Sequence, residues 1–237
     1  MRLKPVTLGL LLVAAGAIGG GVVAGVQAML PGAAAGDVRG YLLAHPEVIP
    51  EAMAALRERE TGKAIVANRS AIVTPFPGAV GGNPAGDVTV VAYMDYACGY
   101  CRASLPVLAQ LVRDDPKIRV VYRELPILSP ESRTAAEWAL AAAEQGKYIP
   151  FHEALYAAGR LTPETIAAAA AKAGLDSARA QGVATSAPVA AELQKNLATA
   201  GNLGMSGTPA WVIGDRMLSG AVDYDQLVAA VKDARNG

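Results

Sequence analysis

Only two cysteines occur in the 237-residue chain, Cys98 and Cys101, and both stand in the stretch "MDYACGYCRASLP" with Gly99 and Tyr100 between them. Two thiols at this spacing can hold a metal, close a static local bridge, or cycle between dithiol and disulfide. Zinc normally takes four ligands, and the two histidines, His45 and His152, stand at no ligand spacing to the cysteines. His45 reads as a turn residue before Pro46 and His152 as an ordinary helix residue. A bridge closing so short a loop removes little chain entropy, which argues against a purely structural role. Two thiolates do suit a soft Cu(I) ion, so copper handling stays open as an alternative. In the redox reading the first sulfur sits at a helix start beside unpaired backbone N–H groups, where the helix dipole favours thiolate over thiol. Cys98 is then the nucleophile. Cys101, one turn later, resolves a mixed disulfide.

The elements around the pair must deliver it to such a helix start. "VTVVAYM", from Val88, is a β-rich apolar run suited to a central strand buried on both faces, and the cysteines follow it directly. Val107, Leu108, Leu111 and Val112 recur at helical spacing, and "KIRVVYREL" reads as the next strand. The result is a β-α-β unit with the cysteines at its strand-to-helix turn. Residues 131–200 are helical in pattern, broken by Gly146, Gly159, Thr162-Pro163 and Pro188. "TPAWVIGDRMLSGAV" predicts two strands joined at Gly214-Asp215, and Asp223 with Gln226 opens a closing helix.

Upstream, residues 71–87 concentrate Pro, Gly and Asn and read as a linker into a domain spanning 88–237. Residues 37–70 read as a helical segment, Asp37 capping one short helix and Pro46 opening another. Their apolar stripes need a partner, and copies of the same stripe predict a homo-oligomer through residues 37–60. At the N-terminus Arg2 and Lys4 precede a run from Val6 to Leu30 without a charged residue, the order of an export signal or signal anchor over 1–30. Export places the rest of the chain in the periplasm or on the outer side of the inner membrane, an oxidising setting in which paired cysteines make sense. The 21 basic and 21 acidic residues balance, and no basic block with interleaved aromatics occurs. Nucleic-acid binding has no electrostatic support.

"DYACGYC", "ELPILSPES" and "MSGTPAWVIG" together resemble the thioredoxin-fold disulfide oxidoreductases of the DsbA family, over residues 88–237. The resemblance implies an α/β fold: a central mixed sheet flanked by helices, with a helical insertion at about 131–200 and the N-terminal helices as an extension. It implies a protein thiol-disulfide oxidoreductase, oxidase or isomerase, whose redox-active disulfide Cys98–Cys101 replaces any cofactor or metal. It further implies a cis Pro209 which, with Thr208, holds an extended client segment over Cys98. Exported cysteine-containing proteins would be the clients, with a membrane protein as redox partner. "YLLAHPEVIPEAM" is similar to the N-terminal segment of the suppressor-of-copper-sensitivity type, where that segment supports oligomerisation.

Two positions depart from the pattern. Many thioredoxin-fold enzymes carry a buried acid six residues before the first cysteine, as proton acceptor for the resolving thiol. Here that position is Ala92, so water, Asp95 or Glu124 must serve. Strongly oxidising DsbA proteins carry Pro-His between the cysteines, whereas Gly99-Tyr100 resembles disulfide isomerases and supplies no cation to tune Cys98. A redox potential less oxidising than the ~−120 mV of DsbA follows.

Overall fold

The computed structural model describes residues 38–236, so the export segment expected at 1–30 lies outside the described residues. The chain divides into two compact units, one ending at Ala54 and one running from Ala55. The described part of the first holds α1 (Val38–Ala44) and the beginning of α2 (Val48–Ala67). A proline disfavours helical geometry in the residue before it, and α1 ends before His45-Pro46. Val38, Tyr41, Leu43, Ile49 and Met53 are exposed here, and α1 buries no residue at all.

The second unit begins with the remainder of α2, followed by α3 (Arg69–Val73), and is organised by a five-stranded sheet. Its strands are β1 (Val80–Gly82), β2 (Val88–Met94), β3 (Ile118–Glu124), β4 (Ala210–Ile213) and β5 (Arg216–Ser219), in the order β1-β3-β2-β4-β5. β2 and β3 are parallel, with Val90 beside Val120, and are joined by α4 (Gly99–Asp114). The remaining pairings are antiparallel. Between β3 and β4 the chain makes five helices: α5 (Pro130–Glu144), α6 (Tyr148–Ala157), α7 (Pro163–Lys172), α8 (Ser177–Ala184) and α9 (Ala187–Asn202). The closing helix α10 (Tyr224–Asn236) starts where Asp223 and Gln226 exchange side-chain-to-backbone hydrogen bonds at 2.8 and 3.0 Å.

Because side chains alternate across a strand, the sheet has two different faces. Val88, Val90, Ala92 and Met94 of β2 join one core with Leu108 and Leu111 of α4, the alanines of α5, Phe151 of α6 and Trp211 of β4. Val91 and Tyr93 join the other, with Ile65, Ile72, Ala200 and Leu203. Cys98 and Cys101 belong to the first core. The end of α5 lies close to the chain ahead of the sheet because Gly78 carries no side chain: a Cβ there would stand 2.2 Å from the Ala143 carbonyl oxygen.

β1 lies within the Pro- and Gly-rich stretch that reads as a linker. Two of its three residues are glycine, so no apolar alternation marks it, and it becomes a strand only through its pairing with Arg119, Val120 and Val121. A second unadvertised feature is Arg123 of β3, about 1 % exposed. Its guanidinium donates to the carbonyls of Ala71, Ile72 and Thr74 at the end of α3, and pairs with Glu192 of α9. A buried cation thereby satisfies the orphan carbonyls of a helix C-terminus.

Candidate active site

β2 delivers the chain to a tight turn at Asp95-Tyr96-Ala97, closed by the Cys98 N–H donating to the Asp95 carbonyl at 3.0 Å. Cys98 then caps α4: its backbone is extended, and its Sγ accepts the Cys101 N–H at 3.3 Å. A sulfur in this position receives the partial positive charge of the helix N-terminus. On its other side the Cys98 thiol donates to the carbonyl of Thr208 at 3.1 Å. The Thr208–Pro209 peptide is cis. The structure thus brings Cys98, Cys101, Thr208 and Pro209 to one place, although 110 residues separate the thiol from the carbonyl it touches.

The two cysteines, both free thiols, are unequal in access. Cys98 retains about 6 % exposure and Cys101 none. Burial pushes the Cys101 thiol up to about 12, because a thiolate there would lose its hydration. Tyr100 projects outward at 70 % exposure, and a side chain at Gly99 would meet nothing. The intervening dipeptide is therefore not dictated by packing. Pro106, inside α4, has no N–H to donate, so the helix lacks one of its ladder bonds there.

Asp95 and Glu124 are both buried beside this site but are committed to different work. The Asp95 carboxylate accepts four hydrogen bonds: the Ala97 N–H and Ser132 hydroxyl on Oδ1, and the Ile127 and Leu128 N–H groups on Oδ2. It ties the loop after β3 to the turn that carries Cys98. Its backbone carbonyl accepts the Tyr156 hydroxyl at 2.9 Å. Glu124 accepts from Tyr148 at 2.6 Å and from Tyr96 of the same turn at 3.2 Å. Burial raises its carboxyl to about 8. Ala92 is buried on the same sheet face as the cysteines and offers no proton acceptor.

His152 corrects the expectation of an ordinary helix residue. It is buried at the centre of a ring cluster with Tyr96, Tyr122, Tyr148 and Tyr156, with Nδ1 3.0 Å from the Tyr96 hydroxyl. Desolvation lowers it to about 3, which keeps the imidazole neutral. The signal was present in the sequence, since Tyr148, His152 and Tyr156 recur every fourth residue and so share a helix face. His45, by contrast, is exposed beside Glu47 in the turn before α2.

Residues 89–232 match the family described as DSBA-like thioredoxin domain, and residues 38–61 match the ScsC N-terminal domain of copper resistance proteins. Among solved structures, a thioredoxin-like oxidoreductase from Silicibacter pomeroyi is 41 % identical, covering 72 % of this chain and 99 % of its own, with a TM-score of 0.69. The thiol-disulfide exchange protein alpha-DsbA2 from Wolbachia pipientis is 28 % identical, covering 75 % and 97 %, with a TM-score of 0.68. A Na(+)/H(+) antiporter of Salinispora arenicola is 33 % identical over 153 residues, 63 % of this chain and 24 % of the antiporter. The chain thus spans about a quarter of the length of the curated relatives it matches. With a mixed sheet, the cysteine pair capping α4 and a cis Thr208–Pro209 beside them, the chain belongs to the DSBA-like thioredoxin domain family, and it carries the ScsC-type N-terminal domain ahead of that fold.

Proposed function

We propose that the protein is an exported thiol-disulfide oxidoreductase that acts on cysteine-containing client proteins, with Cys98 exchanging bonds with the client and Cys101 resolving. The observation that carries this reading is the setting of Cys98 Sγ, between the N-terminus of α4 and the Thr208 carbonyl. Thr208 and Pro209 position the client segment. Gly99 and Tyr100 tune the pair without a charged side chain. Asp95 and Glu124, the sequence candidates for proton relay, play different parts. The Asp95 carboxylate is occupied by its four donors, and Glu124 keeps a proton available behind the site.

The complete burial of Cys101 favours isomerisation. In that cycle the Cys98 thiolate attacks one sulfur of a client disulfide, and the other client sulfur leaves as a thiolate. A second client thiolate then attacks the client sulfur of the mixed disulfide and releases Cys98, with no net transfer of electrons. In oxidation a client thiolate attacks Cys98 of the Cys98–Cys101 disulfide and must expel Cys101; a second client thiolate then displaces Cys98, and two electrons pass from client to enzyme. A thiol held near 12 is a poor leaving group and, when protonated, a slow resolver, so the mixed disulfide persists long enough for the client to rearrange.

Refolding of a scrambled multi-disulfide protein tests the assignment. Reduced wild type is expected to restore native pairing, Cys98→Ser to be inactive, and Cys101→Ser to accumulate a mixed disulfide with its client. Restoration by Cys98→Ser at the wild-type rate overturns the reading. The copper-handling alternative predicts stoichiometric Cu(I) uptake by the dithiol with little turnover of disulfides.

A further inference from the structure

Behind the active-site helix lies a second concavity that the thiol chemistry does not use. It is a cleft of about 630 Å³ between α4, β1 and α6, walled by Leu105, Ala109 and Val112 on one side and by Tyr122, Ile149 and Tyr156 on the other. Gly81 and Gly82 of β1 line the same cleft, and Gly81 adds no side chain to it; a Cβ there would press on the Tyr122 ring at 3.0 Å. This volume falls within the range of small-molecule pockets, which join apolar walls to a few placed polar atoms.

One buried polar atom here lacks a partner among the described residues. His152 lines the cleft and is about 2 % exposed; its Nδ1 meets Tyr96, and its Nε2 has no hydrogen bond. The Tyr96 hydroxyl, with its single proton, stands 3.2 Å from Glu124 Oε1 and 3.0 Å from His152 Nδ1, heavy atom to heavy atom; with that proton donated to Glu124, Nδ1 donates to the Tyr96 oxygen and Nε2 is a bare acceptor. Buried polar atoms are nearly always satisfied, so an open acceptor beside an apolar cleft is a place for a donor from outside the chain. That donor is uncharged: desolvation holds the imidazole neutral, and the Arg102 guanidinium is spent on the Tyr156 and Gly159 carbonyls. The remaining charged lining residues, Glu153 and Arg113, are exposed.

We infer that the cleft between α4 and α6 binds a neutral, apolar molecule bearing a hydroxyl group, of the phenol class, whose hydroxyl donates to His152 Nε2 while its ring packs against Tyr122, Ile149 and Val112. This site is distinct from the client groove at Thr208-Pro209 and is independent of the direction of thiol exchange. Para-butylphenol is the probe, with para-butylanisole as its match lacking only the donor. With two histidines in the chain, imidazole nitrogen NMR separates His152 from the exposed His45. The phenol is expected to shift the His152 Nε2 resonance and leave His45 unmoved, and the anisole to bind about tenfold more weakly, as loss of one buried hydrogen bond implies. Ala109→Trp, an exposed wall position outside the thiol site, is expected to abolish binding of both while the fold persists. No binding at millimolar phenol, equal binding of the two probes, or undiminished binding by Ala109→Trp overturns the site.

Discussion

At the residue scale, the titratable groups behind the thiols make stability depend on pH in two opposing ways. Glu124 holds its proton up to about 8, whereas an unfolded glutamate ionises near ~4.3. Between those values the native state keeps a proton that the unfolded chain has lost, so stability falls as pH rises, by ~1.4 kcal/mol per unit. His152, lowered to about 3 against an unfolded ~6.5, acts in the opposite sense: its contribution is complete above ~6.5 and is lost as pH falls toward 3. The two slopes cancel over their overlap and leave a stability plateau in mildly acid solution. Urea unfolding between pH 6.5 and 8 should show wild type losing stability and Glu124→Gln changing much less. An unchanged slope in that variant would remove Glu124 as its source.

Asp95 works at the same scale but on the backbone. Asp95→Asn replaces an acceptor oxygen by an NH2 group, leaving donors among Ala97, Ser132, Ile127 and Leu128 facing another donor. Each buried donor so stranded costs about 1–3 kcal/mol. Hydrogen exchange at the Ile127 and Leu128 amides is expected to accelerate in the variant, and protection equal to wild type would show that Asp95 does not hold this loop.

Among the elements, α3 depends on a residue outside it. Five residues make too short a helix to persist alone, and Arg123 supplies what the end of α3 lacks by donating to its terminal carbonyls while paired with Glu192. Arg123→Met removes those donors and leaves Glu192 buried with Lys195 as its remaining cation. A loss of about 3–5 kcal/mol is expected on unfolding, as for other broken buried pairs; a loss under about 1 kcal/mol would mean that α3 docks by its apolar contacts alone. Legibility divides along the same lines. β2, α4, β3 and the terminal β4-β5-α10 unit were readable because each shows its own period or its own cap, such as Asp223 with Gln226. β1 and the Arg123 anchor were not, because their identity lies in partners 37 to 69 residues away. The cysteine pair and Thr208-Pro209 were legible as types. The four donors on Asp95 and the ring cluster about His152 needed the fold to become visible.

For the whole molecule, the exposed Tyr41, Leu43, Ile49 and Met53 of the N-terminal helices bear on assembly. Deletion of residues 1–60 is expected to convert an oligomer to a monomer in sedimentation and to lower the yield of correctly isomerised client, while leaving simple dithiol oxidation unimpaired. A monomeric full-length protein, or an oligomer untouched by the deletion, would refute self-association through this segment. The Cys98/Cys101 potential, measured against glutathione, is expected to be less oxidising than ~−120 mV, and a value at or above that figure would point to an oxidase.

The alternation along β2 also separates two kinds of surface. Cys98 and Cys101 belong to the core on one side of the sheet, whereas Ile65 and Ile72, through which the chain enters this domain, belong to the core on the other. The sheet itself stands between entrance and chemistry. Changes to the entering segment thus meet the face of the sheet opposite the two thiols, so exchange of this attachment is expected to leave the reactivity of Cys98 in place.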